Sequence, residues 1–350
     1  MTATAPPQLP DAFGRLAPEI EAELRRSLEG RELPLYDMLR YHLGWQDAEG
    51  APEAGQKGKG LRPTLCLVAG EAVGGAHDRA LPAAAAVELV HNFSLVHDDI
   101  QDGDAERHHR PTVWRVFGRA QAINAGTAMY ALSGLALARL GERGVPERLQ
   151  LAASKHTHDT CLRLLEGQYL DLAFERRLDI TVDDYLRMVR GKTAALLGCA
   201  TSLGAMLAGH DAPGPQPAAA FQEFGEELGL AFQIRDDMLG IWGDAGLTGK
   251  PVGADIRARK KSLPVVDALE RTEGARAEAL RAVYASPEVG ASGCDVVLDI
   301  LAEVGAEARA RSMAERHRDR ALAAVADLPL DPDARRDLEA IAAFLTERDH

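Results

Sequence analysis

Apolar residues recur along this chain at helical spacing, and no segment alternates apolar and polar residues as a β-strand would. In the first half the pattern predicts helices at about 11–28, 33–41, 79–105, 112–141 and 146–176, and another beginning near 61. In the second half it predicts helices at about 183–208, 218–241, 265–285, 292–326 and 331–347. Loops are predicted at 46–57 and 210–217. The chain is therefore predicted to be all-α, without an internal repeat.

Aspartates cluster at the end of the helix predicted at 79–105. Asp98 and Asp102 are four residues apart, so they share one helix face, and Asp99 lies beside them. Carboxylates this close repel each other, which a divalent cation would relieve. Oxygen ligands suit a hard ion such as Mg2+, which commonly bridges to substrate phosphates. A solvated acidic turn explains a single cluster of this kind about equally well.

A second apolar helix ends in a pair of aspartates, Asp236 and Asp237. Basic residues follow at Lys250 and in the segment DIRARKKSLP at 255–264. Basic residues suit phosphate, and aspartates suit metal. Two acidic helix ends, each followed by basic residues, together predict a Mg2+–diphosphate site.

These motifs resemble those of the trans-polyprenyl diphosphate synthases. DDIQD (98–102) with Arg107 matches the first aspartate-rich motif, and Gln233 with Asp236 and Asp237 matches the second. The other matching segments are GKGLRP (58–63), EGQYLDL (166–172), GKTAAL (191–196) and GKPVGADIRARKKSLP (249–264). Any one match is weak, but the set occurs in the family's order over about residues 55–265, which makes the resemblance specific.

The resemblance implies an isoprenoid-synthase-type helical bundle around a deep central cavity. It implies one domain over 1–350, with 1–11 expected to be disordered. The implied reaction joins isopentenyl diphosphate head to tail to an allylic diphosphate, with Mg2+ as cofactor and three ions per site when substrate is bound. The implied assembly is a homodimer formed through the helices after the first motif.

The resemblance also assigns roles to individual residues. Metal ligands are expected among the carboxylates Asp98, Asp99, Asp102, Asp171, Asp236 and Asp237. The allylic diphosphate is expected to contact Arg107, Lys192, Thr193, Gln233, Lys250 and Lys260, with Gln168 nearby. Isopentenyl diphosphate is expected to contact Lys59, Arg62 and His91, with His108 beside them. The residues expected to act in catalysis are Asp98, Asp102, Asp236, Lys192 and Arg107.

Simpler readings exist for several of these residues. Lys59 and Arg62 could be an ordinary basic helix start, and His91 an ordinary core histidine. Lys192 differs, because a lysine inside an apolar helix is costly unless it is paired. That cost favours a ligand role.

Product length is expected to depend on Phe93, which precedes Asp98 by five residues, about 7–8 Å along a helix axis. A single aromatic residue there, with the small Ser94 next to it, resembles geranylgeranyl synthases. Two aromatic residues would resemble farnesyl synthases. The expectation is therefore a C20 product, with C15 second, although a plain core phenylalanine would explain Phe93 equally well.

Three positions depart from the family's pattern. His108 stands where a second arginine usually binds isopentenyl diphosphate, and imidazole is only partly charged near neutral pH. Gly240 replaces the third aspartate of the second motif. Thr127 replaces an aspartate.

Composition narrows the function further. The net charge of −13 argues against nucleic acid or an anionic membrane surface as the main partner. The four cysteines show no CxxC spacing, which favours reduced core residues. No run approaches the ~20 apolar residues of a membrane span. The protein is expected to be cytosolic.

Two other functions remain open at this level. A terpene cyclase on the same fold would ionise one diphosphate and would not need Lys59, Arg62 and His91 together. A non-catalytic partner subunit of a heteromeric synthase would be expected to lose its metal aspartates, yet both pairs are present.

Overall fold

The computed structural model describes residues 9–53, 58–209, 217–243 and 252–346, and the chain is built almost entirely of α-helices. The first half contains α1 (Asp11–Ser27), α2 (Pro34–His42), α3 (Leu61–Ala72), α4 (Leu81–Asp102), α5 (Val113–Phe117), α6 (Arg119–Ala138) and α7 (Glu147–Phe174). The second half contains α8 (Val182–Val189), α9 (Ala195–Ala208), α10 (Ala218–Trp242), α11 (Ala254–Arg257), α12 (Leu263–Arg271), α13 (Gly274–Ala285), α14 (Ala291–Glu303), α15 (Ala306–Val325) and α16 (Pro332–Thr346). The predicted all-α class is confirmed.

Glycines with positive φ divide several predicted helices. Gly118 (φ +84°) separates α5 from α6, Gly274 (φ +60°) begins α13, and Gly305 (φ +64°) precedes α15. L-residues with a side chain rarely adopt this backbone, whereas glycine does so at little cost. The helices predicted at 112–141, 265–285 and 292–326 are therefore each two helices.

A short hairpin follows the first aspartate cluster. Its strands, β1 (Glu106–Arg107) and β2 (Arg110–Pro111), pair antiparallel around a two-residue turn. The turn residues His108 and His109 both have positive φ, at +52° and +60°, as in the type I′ turns that usually carry Asn or Gly. Two-residue strands are too short to give an alternating pattern, so the sequence did not predict them.

The core is formed by small-residue contacts between long helices. Helix α4 packs against α6, α10 packs against α9 and α15, and α3 packs against α9. A Cβ on Gly204 of α9 would collide with the carbonyl oxygen of Cys66 on α3. These helices touch backbone to backbone, which accounts for a core rich in alanine and glycine.

Other expectations have mixed outcomes. All four cysteines are buried and unpaired, as predicted. Helix α1 already begins at Asp11, inside the segment expected to be disordered, while residues 1–8 lie outside the described part. The loop predicted at 210–217 also lies outside it, apart from Pro217. Among the described helices, none is both long enough and apolar enough to cross a bilayer.

Candidate active site

The end of α4 presents Asp98 and Asp102 to a partly dehydrated space. Burial raises the pKa of Asp98 to about 7, the charge of Lys192 opposes this shift, and the carboxylate of Asp102 adds to it. Burial raises the pKa of Asp102 to about 6, again against Lys192. Two carboxylates whose ionisation costs this much are suited to binding a cation, which would stabilise their charged forms.

Lys192 lies in a π-helical turn, Arg190–Ala194, that joins α8 to α9. This turn packs directly on α7, because a Cβ on Gly167 would collide with the backbone nitrogen of Lys192. The ammonium group donates a hydrogen bond to the carboxylate of Asp171 on α7. Burial by itself would lower the pKa of Lys192, but Asp171 and Asp98 outweigh it and raise the pKa. Lys192 is therefore a charged group beside Asp98 and Asp171.

The two aspartates of the second motif have different environments. Asp236 is exposed at the end of α10. Asp237 is 1 % exposed, and it accepts hydrogen bonds from the Tyr185 hydroxyl (2.5 Å), the Leu263 backbone nitrogen (2.8 Å) and the Gln233 amide (3.1 Å). Lys260 also lies 3.3 Å from it. Asp237 thus links α8, α10 and the start of α12, and its role as a metal ligand stays a prediction.

Asp171 connects the two acidic helix ends. Its charge acts on Asp98 and Asp102 of the first motif. It acts also on Lys260, where Asp236 and Asp237 act too. The two motifs, which are well over one hundred residues apart in the sequence, therefore border the same region.

Asp99 faces the other side of α4 from this region. It is 1 % exposed, and one carboxylate oxygen accepts two hydrogen bonds from Arg107, at 2.8 Å and 2.7 Å. Its second oxygen is buried without a protein donor. Asp99 thus positions the hairpin residue Arg107, and its role as a metal ligand stays a prediction. Arg107 itself lines a cavity on this second side.

That second side holds the residues expected to bind isopentenyl diphosphate. Lys59, Arg62, His91 and His108 line one cavity of about 580 Å³. The Nε of Arg62 is buried without a partner, and burial lowers the pKa of Arg62 to about 10. Burial and the neighbouring arginines hold the pKa of His91 well below its usual range. A cavity with several cationic donors, one of them unsatisfied, fits an anionic ligand.

Several other predicted residues are held by the protein itself. Gln168 is buried and donates to Gln101 of α4 at 2.9 Å, so it ties α7 to the first motif. Thr193 donates to Gln233 at 2.9 Å, and Gln233 in turn contacts Asp237. Lys250 lies outside the described residues.

Phe93 is nearly buried in the wall between α4 and α6. Its ring centroid lies 5.3 Å from that of Tyr130 and 5.0 Å from that of His97. His97, for which the sequence suggested no role, also contacts the Ile123 carbonyl at 3.2 Å. Phe93 is therefore part of a cluster of three rings rather than an isolated side chain.

The structure also accounts for the departures and for residues that sequence reasoning missed. A Cβ on Gly240 would collide with the carboxylate of Asp255, so that carboxylate occupies the space of the missing side chain. Thr127 is exposed and donates to Ile123 of its own helix. Motif spacing did not indicate that Tyr185 contacts Asp237, or that Asp255 of the matched segment 249–264 fills the space beside Gly240, because both are tertiary contacts.

Two glutamates of α10 contact neighbouring helices. Glu226 pairs with Arg163 at 2.7 Å. Glu227 is buried and lies 2.6 Å from His317 of α15. Both carboxylates therefore tie α10 to neighbouring helices.

No three carboxylate, imidazole or thiol groups converge as a ready-made metal centre within the described ranges. Mg2+ usually keeps several waters and binds through one or two carboxylates plus substrate phosphates. Asp98 and Asp102, one helical turn apart with raised pKa values, fit that mode of binding.

Comparison with known proteins gives the family. Residues 52–300 match the sequence model of the polyprenyl synthetase family. This chain belongs to that family. It is a prenyltransferase, and the resemblance to this family that the sequence motifs indicated is confirmed.

Relatives of different product length resemble this polyprenyl synthetase. A geranylgeranyl diphosphate synthase of Mycobacterium tuberculosis is 44% identical over 89% of this chain and 87% of its own length. A (2E,6E)-farnesyl diphosphate synthase of the same organism is 40% identical over 94% and 90%.

Solved structures agree with the fold. A polyprenyl synthetase from Streptomyces coelicolor superposes with a TM-score of 0.87 at 36% identity, covering 96% of this chain and 98% of its own. A geranylgeranyl pyrophosphate synthase from Corynebacterium glutamicum, complexed with isoprenyl diphosphate and magnesium, has a TM-score of 0.77 at 27% identity, with coverage of 97% and 98%. The isoprenoid-synthase-type fold is thereby confirmed.

Proposed function

We propose that this prenyltransferase joins isopentenyl diphosphate to an allylic diphosphate, giving an all-trans C20 prenyl diphosphate, with C15 as the next choice. The observation that carries the proposal is a pair of charged side-chain clusters on the two sides of α4. One combines Asp98 and Asp102 with Lys192, and the other combines Lys59 and Arg62 with His91. Two diphosphates could thus be held side by side without sharing their charged contacts.

Magnesium is proposed as the cofactor of the allylic region. Asp98 and Asp102 would hold it from α4, with Asp236 from α10 and Asp171 between them, and three ions per site are proposed when substrate is bound. The related Corynebacterium enzyme was crystallised with isoprenyl diphosphate and magnesium, which supports this choice. When bound, the metal supplies positive charge that stabilises the departing diphosphate.

The protein's own groups would orient and neutralise the substrates. Lys192, already charged beside Asp98, would face the allylic diphosphate, and Lys260 would add charge from the other side. The allylic carbon–oxygen bond breaks, the double bond of isopentenyl diphosphate attacks the allylic carbon, and a proton is lost. We propose that the released diphosphate accepts that proton, so no side chain is assigned as the base.

The test is incubation of the purified protein with Mg2+, isopentenyl diphosphate and each of the C5, C10 and C15 allylic starters. Chain elongation that ends at C20 is the expected result. A cyclic hydrocarbon formed without isopentenyl diphosphate would indicate a terpene cyclase instead. No product with any starter would favour a partner subunit.

Replacing Phe93 with alanine is expected to lengthen the product beyond that of the parent enzyme. The substitution removes the ring that we propose as the floor, although Tyr130 remains behind it, so the extension should be limited to one or two isoprene units. Product analysis with labelled isopentenyl diphosphate measures the change. Phe93→Leu, which keeps part of the volume, should give a smaller shift, and an unchanged product with both variants would remove Phe93 from the floor.

We also propose that the enzyme is a homodimer formed through α6 and α7. Leu151, Leu162, Leu165 and Tyr169 form one stripe along α7, and Tyr169 is 72% exposed. Ile123 is half exposed on the adjacent α6. An apolar stripe of this length on a soluble helix suits a second copy of the chain, related by a two-fold axis.

The double substitution Leu162→Glu and Leu165→Glu is expected to convert the dimer to a monomer, because it places four charges in the two-fold interface. Size-exclusion chromatography with light scattering measures the mass. Leu33→Glu is the matched control, since Leu33 is 66% exposed but lies before α2. A parent protein that is already monomeric would contradict the proposal.

A further inference from the structure

His42, the last residue of α2, lies at the isopentenyl diphosphate side of α4. It lines a cavity together with Lys59, His91, Arg107 and His108. Lys59, His91 and His108 also line the adjoining cavity that contains Arg62. The imidazole of His42 therefore belongs to the same cationic region, although α2 carries none of the motifs that indicated this region in the sequence.

A hydrogen-bonded chain fixes the orientation of this imidazole. The Asn92 amide donates to the Glu88 carbonyl at 2.8 Å and to the Glu88 carboxylate at 3.2 Å. Its amide oxygen is thereby left as the acceptor for a ring N–H of His42, with which Asn92 forms a side-chain hydrogen bond. One ring nitrogen of His42 is used in this way, and the ring itself lines the cavity.

The charged groups that act on the pKa of His42 are positive, while the carboxylates of Glu21, Glu88 and Asp99 line the same cavity. Burial and the charges of Arg107, His108 and Arg110 of the hairpin together lower the pKa of His42 to about 3, and the hydrogen bond that His42 donates to Asn92 opposes this shift. On α4, His91 lies within electrostatic range and Glu88 lies behind Asn92. His42 is consequently neutral in the empty cavity. A diphosphate placed among these groups would reverse the local field and favour the protonated imidazole.

We propose that His42 binds the diphosphate of the acceptor substrate alongside Lys59 and Arg62. This proposal rests on the assignment of that cavity to isopentenyl diphosphate. It gives the cavity three imidazoles, His42, His91 and His108, that gain a proton when the anion binds. His108 of the hairpin then needs less positive charge of its own, because His42 also contributes to the cavity.

The first test is calorimetric binding of isopentenyl diphosphate to the full-length protein, without metal or allylic substrate. His42→Gln keeps a donor for Asn92 but cannot be protonated, and it is expected to weaken binding about tenfold. Repeating the titration in two buffers of different ionisation enthalpy should show proton uptake by the parent protein, and less by the variant. Arg281→Gln, on the exposed surface of α13 and outside both cavities, is the control and should bind like the parent.

Kinetics separate binding from a structural role. His42→Gln should raise KM for isopentenyl diphosphate about tenfold, while KM for the allylic substrate and the thermal midpoint stay close to those of the parent. The protonated imidazole favours binding at pH values below its pKa in the complex, so the KM of the parent should rise with pH, and that of the variant should rise less. Adding His108→Arg, which places a permanent charge in the cavity, should restore much of the lost affinity.

The outcomes are distinguishable. Equal binding by parent and His42→Gln would overturn the role of His42, whether or not the enzyme elongates chains. Losses in both KM values together with a lower thermal midpoint would also overturn it, in favour of a structural contact. Binding that depends on His42 in a protein without condensation activity would support the site and reject the proposed reaction. No binding of isopentenyl diphosphate by the parent would reject both.

Discussion

Replacing Asp98 with asparagine should lower kcat for condensation by about 10³-fold while leaving the fold intact. Asp98 is half-buried beside Lys192 and Asp102, and its charge is available to a cation rather than used in a protein ion pair of its own. Asparagine keeps the shape of the side chain and removes the charge. Steady-state rates at saturating Mg2+ and substrates measure the effect, and circular dichroism checks the fold.

The matched control is Asp104→Asn, an exposed aspartate two residues beyond α4, which should change kcat by less than about threefold.

The rate of the parent enzyme should also depend on the charge of Asp98 and Asp102, which changes with pH. Because the pKa values of Asp98 and Asp102 are about 7 and 6, protons compete with the metal below neutrality. The Mg2+ concentration for half-maximal rate should therefore rise as the pH falls from 8 to 6. A flat dependence, or a loss in Asp104→Asn equal to that in Asp98→Asn, would contradict a metal role for Asp98.

Alanine substitutions at Asp236 and Asp237 should have opposite consequences although the residues are adjacent. Asp237→Ala removes the acceptor of the Tyr185 hydroxyl and of the Leu263 backbone nitrogen, and it leaves Lys260 with Asp255 as its remaining ion-pair partner. Loss of one member of such a buried network should lower the free energy of unfolding by about 3–5 kcal/mol. Asp236→Ala should change that free energy by less than about 0.5 kcal/mol, because the side chain is exposed.

Catalytic activity, measured on the folded variants, should be reduced more by Asp236→Ala than by Asp237→Ala. Asp236→Ala is expected to lose about 10²-fold in kcat, since it removes a proposed metal contact. Urea denaturation gives the free energy of unfolding, and rates are measured at a temperature where both variants are folded. The assignment would be reversed if Asp236→Ala unfolded readily while Asp237→Ala remained stable but inactive.

Sequence reasoning predicted the helical class because apolar periodicity is a local property, and long helices repeat it many times. It did not predict the breaks at Gly274 and Gly305, where a single positive φ ends a pattern that is otherwise continuous. The acidic motifs were likewise visible in the sequence, because aspartate pairs at the ends of apolar helices are unusual. Which aspartate of each pair faces the space between the two acidic helix ends depends on the packing of neighbouring helices.

The sequence by itself determined an all-α chain, two aspartate-rich helix ends and the basic segments that identify a prenyltransferase. Only the tertiary structure decided that Asp99 pairs with Arg107, that Asp237 links three helices, that Asp171 acts on both acidic ends, and that α2 reaches the cavity lined by Lys59 and His91. The physical reason is that side-chain ionisation and hydrogen bonding depend on burial and on partners that are distant in sequence. Periodicity and motif spacing contain no information about those partners.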